Sequence, residues 1–188
     1  MVLSLLAHAI HAPAPTREKH GHPWPQPQAA LLLAAFGALW LLVTDWPMRI
    51  RCLLGALGFS LTEFTFYTTT YETPEGGIVF APFDPRCRKG HTTLQQFVCN
   101  VLYIPVVADL YFAIVPKSLI WRTLLWPINI WVLEVIQGYV MVYLYGYNPA
   151  WSYRGPFTYF HGNIRIGHGL FWIPMGLAVS LIYTFIME

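Results

Sequence analysis

Two acidic residues, Glu63 and Glu134, lie well inside apolar stretches of the chain, 71 positions apart. A charged carboxylate at the centre of a bilayer costs roughly 3 kcal/mol, so such a residue normally faces the interior of a helix bundle and has a partner there. Two interpretations stay open. The pair lines a functional site, where two close carboxyl groups would share a proton because like charges resist joint ionisation. Alternatively, each protonated glutamate only donates a hydrogen bond to a neighbouring helix.

An aromatic segment, NPAWSYRGPFTYFHGNIRIGH at residues 148–168, is the second feature that could act on a ligand. Its rings belong to Trp151, Tyr153, Phe157, Tyr159 and Phe160. Trp and Tyr favour the headgroup level of a membrane, whereas a loop that folds back into a bundle needs protein or water to satisfy its backbone. The segment therefore predicts either an aromatic belt at the membrane surface or a lid over a binding site.

Other kinds of site are not favoured by the sequence. No P-loop, GxGxxG, HExxH or Ser-His-Asp order occurs. The three cysteines form no CxxC pair, and the histidines lack the spacing of a zinc or haem site. We therefore expect no catalytic set, no metal and no cofactor, and an enzyme that uses the two carboxylates as acid and base is the least favoured class.

The composition predicts a membrane protein. Only 11% of the residues are charged and the mean hydropathy is +0.47, whereas a soluble domain carries about 25% charged residues. A net charge of +2 without a long basic run gives no reason to expect nucleic-acid binding. After a Pro- and His-rich tail at residues 1–28, a single all-helical domain follows over residues 29–188. About five spans are predicted in it, at residues 29–44, 50–71, 94–115, 119–145 and 168–187.

The lengths of the connectors suggest an internal repeat. Short turns join spans one and two and spans three and four, while about twenty residues separate spans two and three and spans four and five. Pro105 and Pro174 each end an aromatic-Ile-Pro triplet, 69 positions apart, which is close to the separation of the two glutamates. Two tandem helix–loop–helix halves are therefore predicted, with coincident spacing as the alternative. The basic residues do not fix the membrane orientation.

The segment LEVIQGYVMVYLYGYNPAWSYRGPFTYFHGNIRIGHGLFW carries a family resemblance. It combines a Glu and a Gly four apart, then Trp-x-Tyr, then Gly-x-Ile, then a Trp that enters the next span. It resembles the ABC-transporter type IV permease-like small membrane proteins, the transmembrane protein 229-like family, over about fifty residues, 131–176. The chain departs from the family at Ser152, where an Asp is usual. The matching positions are Glu134, Gly138, Trp151, Tyr153, Gly162, Ile164 and Trp172.

The residues and the resemblance together predict an integral membrane protein that binds or helps to move a small or lipid-like ligand. The candidate ligand-binding residues are Glu63, Glu134, Gly138, Trp151, Tyr153, Gly162 and Trp172. As a permease the chain would need a separate ATPase, since it has no ATP-binding motif of its own. The alternative is an accessory or structural subunit of a larger membrane complex. Membrane lipids are the expected partners, in a eukaryotic endomembrane or organelle or in a bacterial inner membrane.

Overall fold

The computed structural model describes residues 27–73, 75, 77–87 and 93–187, and these are mostly helical. A π-helical turn lies at Ile104–Ala108 and a 3₁₀ turn at Ile166–His168. The predicted tail lies outside the described residues except for its last two positions, which already belong to the first helix. The α-helices are α1 (Pro27–Val43), α2 (Trp46–Thr69), α3 (Leu94–Asn100), α4 (Asp109–Ile114), α5 (Leu119–Leu124), α6 (Trp126–Tyr145) and α7 (Gly169–Met187).

Each of the two long connectors contains a short antiparallel hairpin. In the first, β1 (Thr70–Glu72) continues directly from α2 and pairs with β2 (Ile78–Phe80). In the second, β3 (Thr158–Tyr159) pairs with β4 (Ile164–Arg165). The predicted helical class is confirmed, with these hairpins as small additions, and the predicted tandem repeat stays a prediction.

The prediction of about five spans is wrong. Among the described residues, two helical segments are long and apolar enough to cross a membrane, Leu119–Tyr145 and Ile166–Ile186. The apolar helix Ala29–Val43 is too short for that criterion. The third predicted span is interrupted by a turn at Val101 and Leu102, before the π-helical turn, which leaves Ile104–Ile114 as its longest apolar helix. Counting apolar segments in the sequence therefore overestimated the number of continuous membrane-spanning helices.

The second predicted span is long but polar. Its helix α2 begins at an N-cap, where the Asp45 carboxylate accepts a hydrogen bond from the Met48 amide at 2.9 Å. Towards its other end, the hydroxyls of Thr62, Thr65 and Thr68 donate to carbonyls four residues earlier, at 2.7 to 2.9 Å. Such back-bonding satisfies a hydroxyl inside a helix without a partner from another element. Together with the charged residues of α2, these threonines keep it below the hydropathy of a spanning helix.

A π-helical turn lies within the third predicted span. It contains Pro105, which has no N–H for the helical ladder. The turn leads into Asp109, whose carboxylate forms an ion pair with Arg51 of α2 at 2.6 Å and accepts a hydrogen bond from the Tyr183 hydroxyl at 3.4 Å. The interruption thus directs a carboxylate at α2 and α7 together. The nearby Arg122 is fully buried and donates to Thr184.

The main core is built around the fully buried ring of Trp126. Tyr111 lies edge-on to it at 5.1 Å between ring centroids, and Phe112 lies at 6.0 Å. Phe112 in turn stacks on Tyr183 of α7 at 3.9 Å. Helix α7 can approach this cluster because Gly176 has no side chain: a Cβ there would lie 2.4 Å from the Trp126 Cβ.

Adding a methyl group at Gly176 should therefore destabilise the fold. We expect Gly176→Ala to lower the free energy of unfolding by about 1–3 kcal/mol, the usual cost of overpacking a core. Gly37→Ala is the matched control, because a Cβ at Gly37 meets no atom within 4 Å and alanine is the better helix former. Thermal unfolding of both purified variants measures the difference. Equal melting temperatures for the two variants would contradict the packing described above.

Candidate functional site

Glu63 and Glu134 line one cavity of about 450 Å³ inside the helical bundle. Helix α2 forms one wall, α3 and α6 form the floor around the carboxyl groups, and the aromatic connector with the start of α7 closes the remaining side. The residues that line it are Leu61, Thr62, Glu63, Thr65, Phe66, Tyr67, Thr69, Gln96, Glu134, Gln137, Trp151, Tyr153, His168, Phe171 and Trp172.

The carboxyl group of Glu134 is almost completely buried, with 8% of the residue exposed. One of its oxygens, Oε1, accepts a hydrogen bond from the Tyr153 hydroxyl at 2.8 Å. The other oxygen, Oε2, is buried without a hydrogen-bond partner among the described residues. Because a buried polar atom normally has a partner, this oxygen is an unsatisfied acceptor on a residue that lines the cavity.

Glu63 reaches the same cavity from α2 and is held by an amide from α3. With the Gln96 amide nitrogen directed at it, that nitrogen donates to both carboxylate oxygens, at 2.8 and 2.9 Å. Gln96 is itself buried. The two glutamates thus have different surroundings, an amide for Glu63 and a phenol for Glu134. Proton sharing between them stays a prediction.

A second pair of amides lies beside Glu134. Gln137, one helical turn after Glu134 on α6, lines the cavity and donates to the Asn100 side-chain oxygen at 2.8 Å. Both amides are buried. This hydrogen bond joins α6 to α3, the two helices that carry Glu134 and Gln96. A hydrogen bond between buried amides therefore connects the two helices on the polar side of the cavity.

The aromatic connector is held together by hydrogen bonds within it and contacts α6 through Asn163. The Asn148 side-chain oxygen accepts hydrogen bonds from the amides of Ala150 and Trp151, at 3.0 and 3.3 Å, and the Trp151 indole donates to the Asn163 carbonyl at 2.9 Å. Asn163 in turn packs directly on Gly138, where a Cβ would lie 2.1 Å from its side-chain oxygen. The absence of a side chain at Gly138 thus allows the connector to pack against the backbone of α6.

The return turn of the connector has an unusual backbone. Phe160, His161 and Gly162 lie consecutively in the left-handed region, with φ of 53°, 58° and 81°. This conformation is easy for glycine and costs energy for the two residues before it. It brings the Gly162 carbonyl to the Tyr153 amide, at 2.8 Å. The strained turn therefore helps to hold Tyr153 where its hydroxyl reaches Glu134.

The phenol of Tyr153 is strongly biased towards its protonated form. Burial raises its pKa well above the usual value of 10.0, and the neighbouring carboxyl group of Glu134 raises the pKa further. Its ring lies edge-on to the imidazole of His168, with centroids 4.5 Å apart. Tyr153 therefore stays a hydrogen-bond donor to Glu134 throughout the physiological pH range.

A second cavity of about 540 Å³ adjoins the first and leads towards the hairpin β1–β2. The two share a wall that includes Trp151, Tyr153 and His168. The outer cavity is lined by Arg86 and Glu72, and Glu72 forms an ion pair with Arg165 of β4 that joins the two hairpins. This second cavity, the outer cavity, therefore has charged residues in its lining and lies next to the inner cavity, which is lined by Glu63 and Glu134.

The seven residues singled out from the sequence fall into two groups. Five of them line the inner cavity: Glu63, Glu134, Trp151, Tyr153 and Trp172. Gly138 and Gly162 instead shape the connector through a close contact and a left-handed turn. That these residues bind a ligand stays a prediction.

Sequence reasoning missed several residues of the cavity, among them Gln96, Gln137, Phe66 and Tyr67. A signal existed for Gln137, since positions three apart share a helix face with each other and Glu134 was already singled out. No comparable signal marked Gln96, whose partner Glu63 lies in a different helix.

No protein-family model, curated protein or solved structure matches this chain. The resemblance to the permease-like family stays a prediction that rests on the residues quoted above.

Removing the Tyr153 hydroxyl should destabilise the protein and change its response to alkali. In Tyr153→Phe, Oε1 of the buried Glu134 carboxyl group loses its hydrogen-bond donor. We therefore expect the free energy of unfolding to fall by about 1–3 kcal/mol at neutral pH. Since the pKa of Tyr153 is raised in the folded state, its contribution is present below about pH 10 and is lost as the pH rises and the unfolded chain ionises.

Unfolding of wild type and Tyr153→Phe from pH 7 to 11 measures this, and the stability difference between them should narrow above pH 10. Tyr147→Phe, which removes the hydroxyl of another partly buried tyrosine, is the control for the loss of a phenol elsewhere in the chain. A difference that stays constant across the range would show that Tyr153 is not the titrating group described.

Proposed function

We propose that this chain is an integral membrane protein that holds a small, lipid-like or amphipathic ligand in the cavity between Glu63 and Glu134. The single observation that carries the proposal is that carboxyl groups from α2 and α6 line one cavity together with Trp151 and Tyr153 of the aromatic connector. Binding in that space is the function we assign, and movement of the ligand across the membrane would be an extension of it that requires a separate ATPase.

The outer surface supports a membrane location. Besides the two helices of sufficient length and hydropathy, large apolar side chains point outward along the helices. Leu42 is 82% exposed, Leu170 is 76% exposed and Phe185 is 91% exposed. Extended apolar surfaces of this kind are rare on soluble monomers, and the hydrocarbon of a bilayer would cover them. A eukaryotic endomembrane or organelle and a bacterial inner membrane both meet this requirement.

The cavity has the composition of a ligand site. Its volume of about 450 Å³ lies within the usual range for small-molecule sites, which combine a mostly apolar wall with a few polar groups. Here the polar groups are two carboxyl groups, two amides, two phenols, three threonine hydroxyls and an imidazole, set among aromatic rings. A carboxyl group placed among membrane helices normally has a functional task, and this arrangement is consistent with orienting a ligand.

The alternative role, an accessory subunit that docks through the aromatic connector, receives less support. Trp151 is 6% exposed and hydrogen-bonded within the chain, and the hydroxyl of Tyr153 is directed at Glu134. These two rings are therefore occupied inside the protein, where they border the cavity, and offer little surface to a partner.

Native mass spectrometry of the protein purified in mild detergent tests the proposal. We expect wild type to retain a small molecule, and Glu134→Gln to bind it with about tenfold lower affinity, equivalent to a loss of about 1.4 kcal/mol in binding, and so to retain less of it. Glu75→Gln is the matched control, because Glu75 is exposed at the β1–β2 turn and outside the residues that line the cavity. Stoichiometric partner subunits without any retained small molecule would favour the accessory role instead.

A further inference from the structure

The inner cavity offers acceptors and aromatic faces to its occupant and few means of neutralising a negative charge. Its acidic residues are Glu63 and Glu134, and none of the described residues that line it is a lysine or an arginine. An ionised carboxylate is purely a hydrogen-bond acceptor. An anionic ligand would be repelled there, whereas a cation beside Glu134 would favour the ionised form of that carboxyl group and gain free energy from it.

From this we infer that the ligand carries a protonated amine, an ammonium group with at least one N–H, attached to an apolar body. The inference rests on the proposed function, since it names the chemical class of ligand for the same cavity. The ammonium would lie against the Glu134 carboxylate, and the apolar body would lie along the aromatic wall.

The need for an N–H follows from Glu134. Its Oε1 already accepts from Tyr153, while its buried Oε2 has no donor among the described residues. The nearest amide on the same helix, Gln137, uses its nitrogen for Asn100. A primary, secondary or tertiary ammonium would supply a charge-assisted hydrogen bond to Oε2. A quaternary ammonium has no proton to donate and would leave this oxygen unpaired.

The aromatic wall gives the second reason for a cation. Six rings border the cavity together with the carboxyl groups: Phe66, Tyr67, Trp151, Tyr153, Phe171 and Trp172. Aromatic faces attract organic cations through the quadrupole of the ring, by about 0.5–2 kcal/mol for each favourable contact. The same rings bury the apolar part of the ligand. A divalent metal ion would make poor use of this wall, because it prefers several oxygen ligands at once.

Three probes of nearly equal shape separate the possible charges: 3-phenylpropylamine, 3-phenylpropanol and 3-phenylpropionate. Binding is measured by equilibrium dialysis against the full chain in phosphatidylcholine nanodiscs, with empty nanodiscs subtracted to correct for partition into lipid. We expect wild type to bind the amine about tenfold more tightly than the alcohol and the carboxylate least of all.

The variants locate that preference. Glu134→Gln keeps an oxygen that accepts from Tyr153, so it should lose the preference for the amine while its affinity for the alcohol changes by less than about twofold. Trp172→Leu should weaken binding of the amine without involving either carboxyl group. Glu75→Gln, with its exposed side chain, should behave as wild type. Unfolding curves of each variant check that it is folded.

The outcomes separate the inferred charge of the ligand from the proposed binding of a ligand in the inner cavity. Equal binding of amine and alcohol by wild type, or tighter binding of the carboxylate, overturns the inferred charge and leaves a ligand cavity in place. A preference for the amine that survives Glu134→Gln overturns the assigned position of the ammonium. If no probe binds and the purified protein carries no small molecule, the proposed function fails together with the inference.

Discussion

The hydrogen bond from the Tyr153 hydroxyl to the Glu134 carboxyl group, 2.8 Å long, is the contact on which the site depends. A carboxyl group buried without a partner is costly, by several kcal/mol when it is charged, so α6 requires a donor near its middle. The connector supplies one, and in doing so it is drawn into the bundle. The same bond therefore satisfies Glu134 and places the aromatic rings over the cavity.

Two local features of the chain make this contact geometrically possible. Gly138, one turn after Glu134, lets Asn163 pack directly on the backbone of α6. The left-handed turn that ends at Gly162 then returns the chain so that its carbonyl meets the Tyr153 amide. Strain at such a turn is tolerated where the surrounding structure holds it and where a function uses it. In this protein the strain is located next to the cavity and supports its wall.

The polar interior also explains why the helices differ in character. Helix α2 carries Glu63 and a series of threonines, whose hydroxyls bond to its own carbonyls, and it forms one wall of the cavity. Helix α7 instead presents apolar side chains outward and contributes Trp172 to the wall inside. The helices around the carboxylate-lined space therefore differ in polarity, with threonine hydroxyls on α2 and apolar side chains on the outer surface of α7.

The sequence by itself determined the helical class, and it singled out Glu63, Glu134 and the aromatic connector as candidates for a site. These follow from hydropathy and residue type, which are local properties of the chain. It did not determine how many helices are continuous, since the turn at Val101 and Leu102 interrupts the third predicted span at residues that are themselves apolar. Only the tertiary structure decided that Tyr153 would be the partner of Glu134 and Gln96 the partner of Glu63. Those pairs join separate elements, and a hydropathy pattern carries no information about which side chains meet across a bundle.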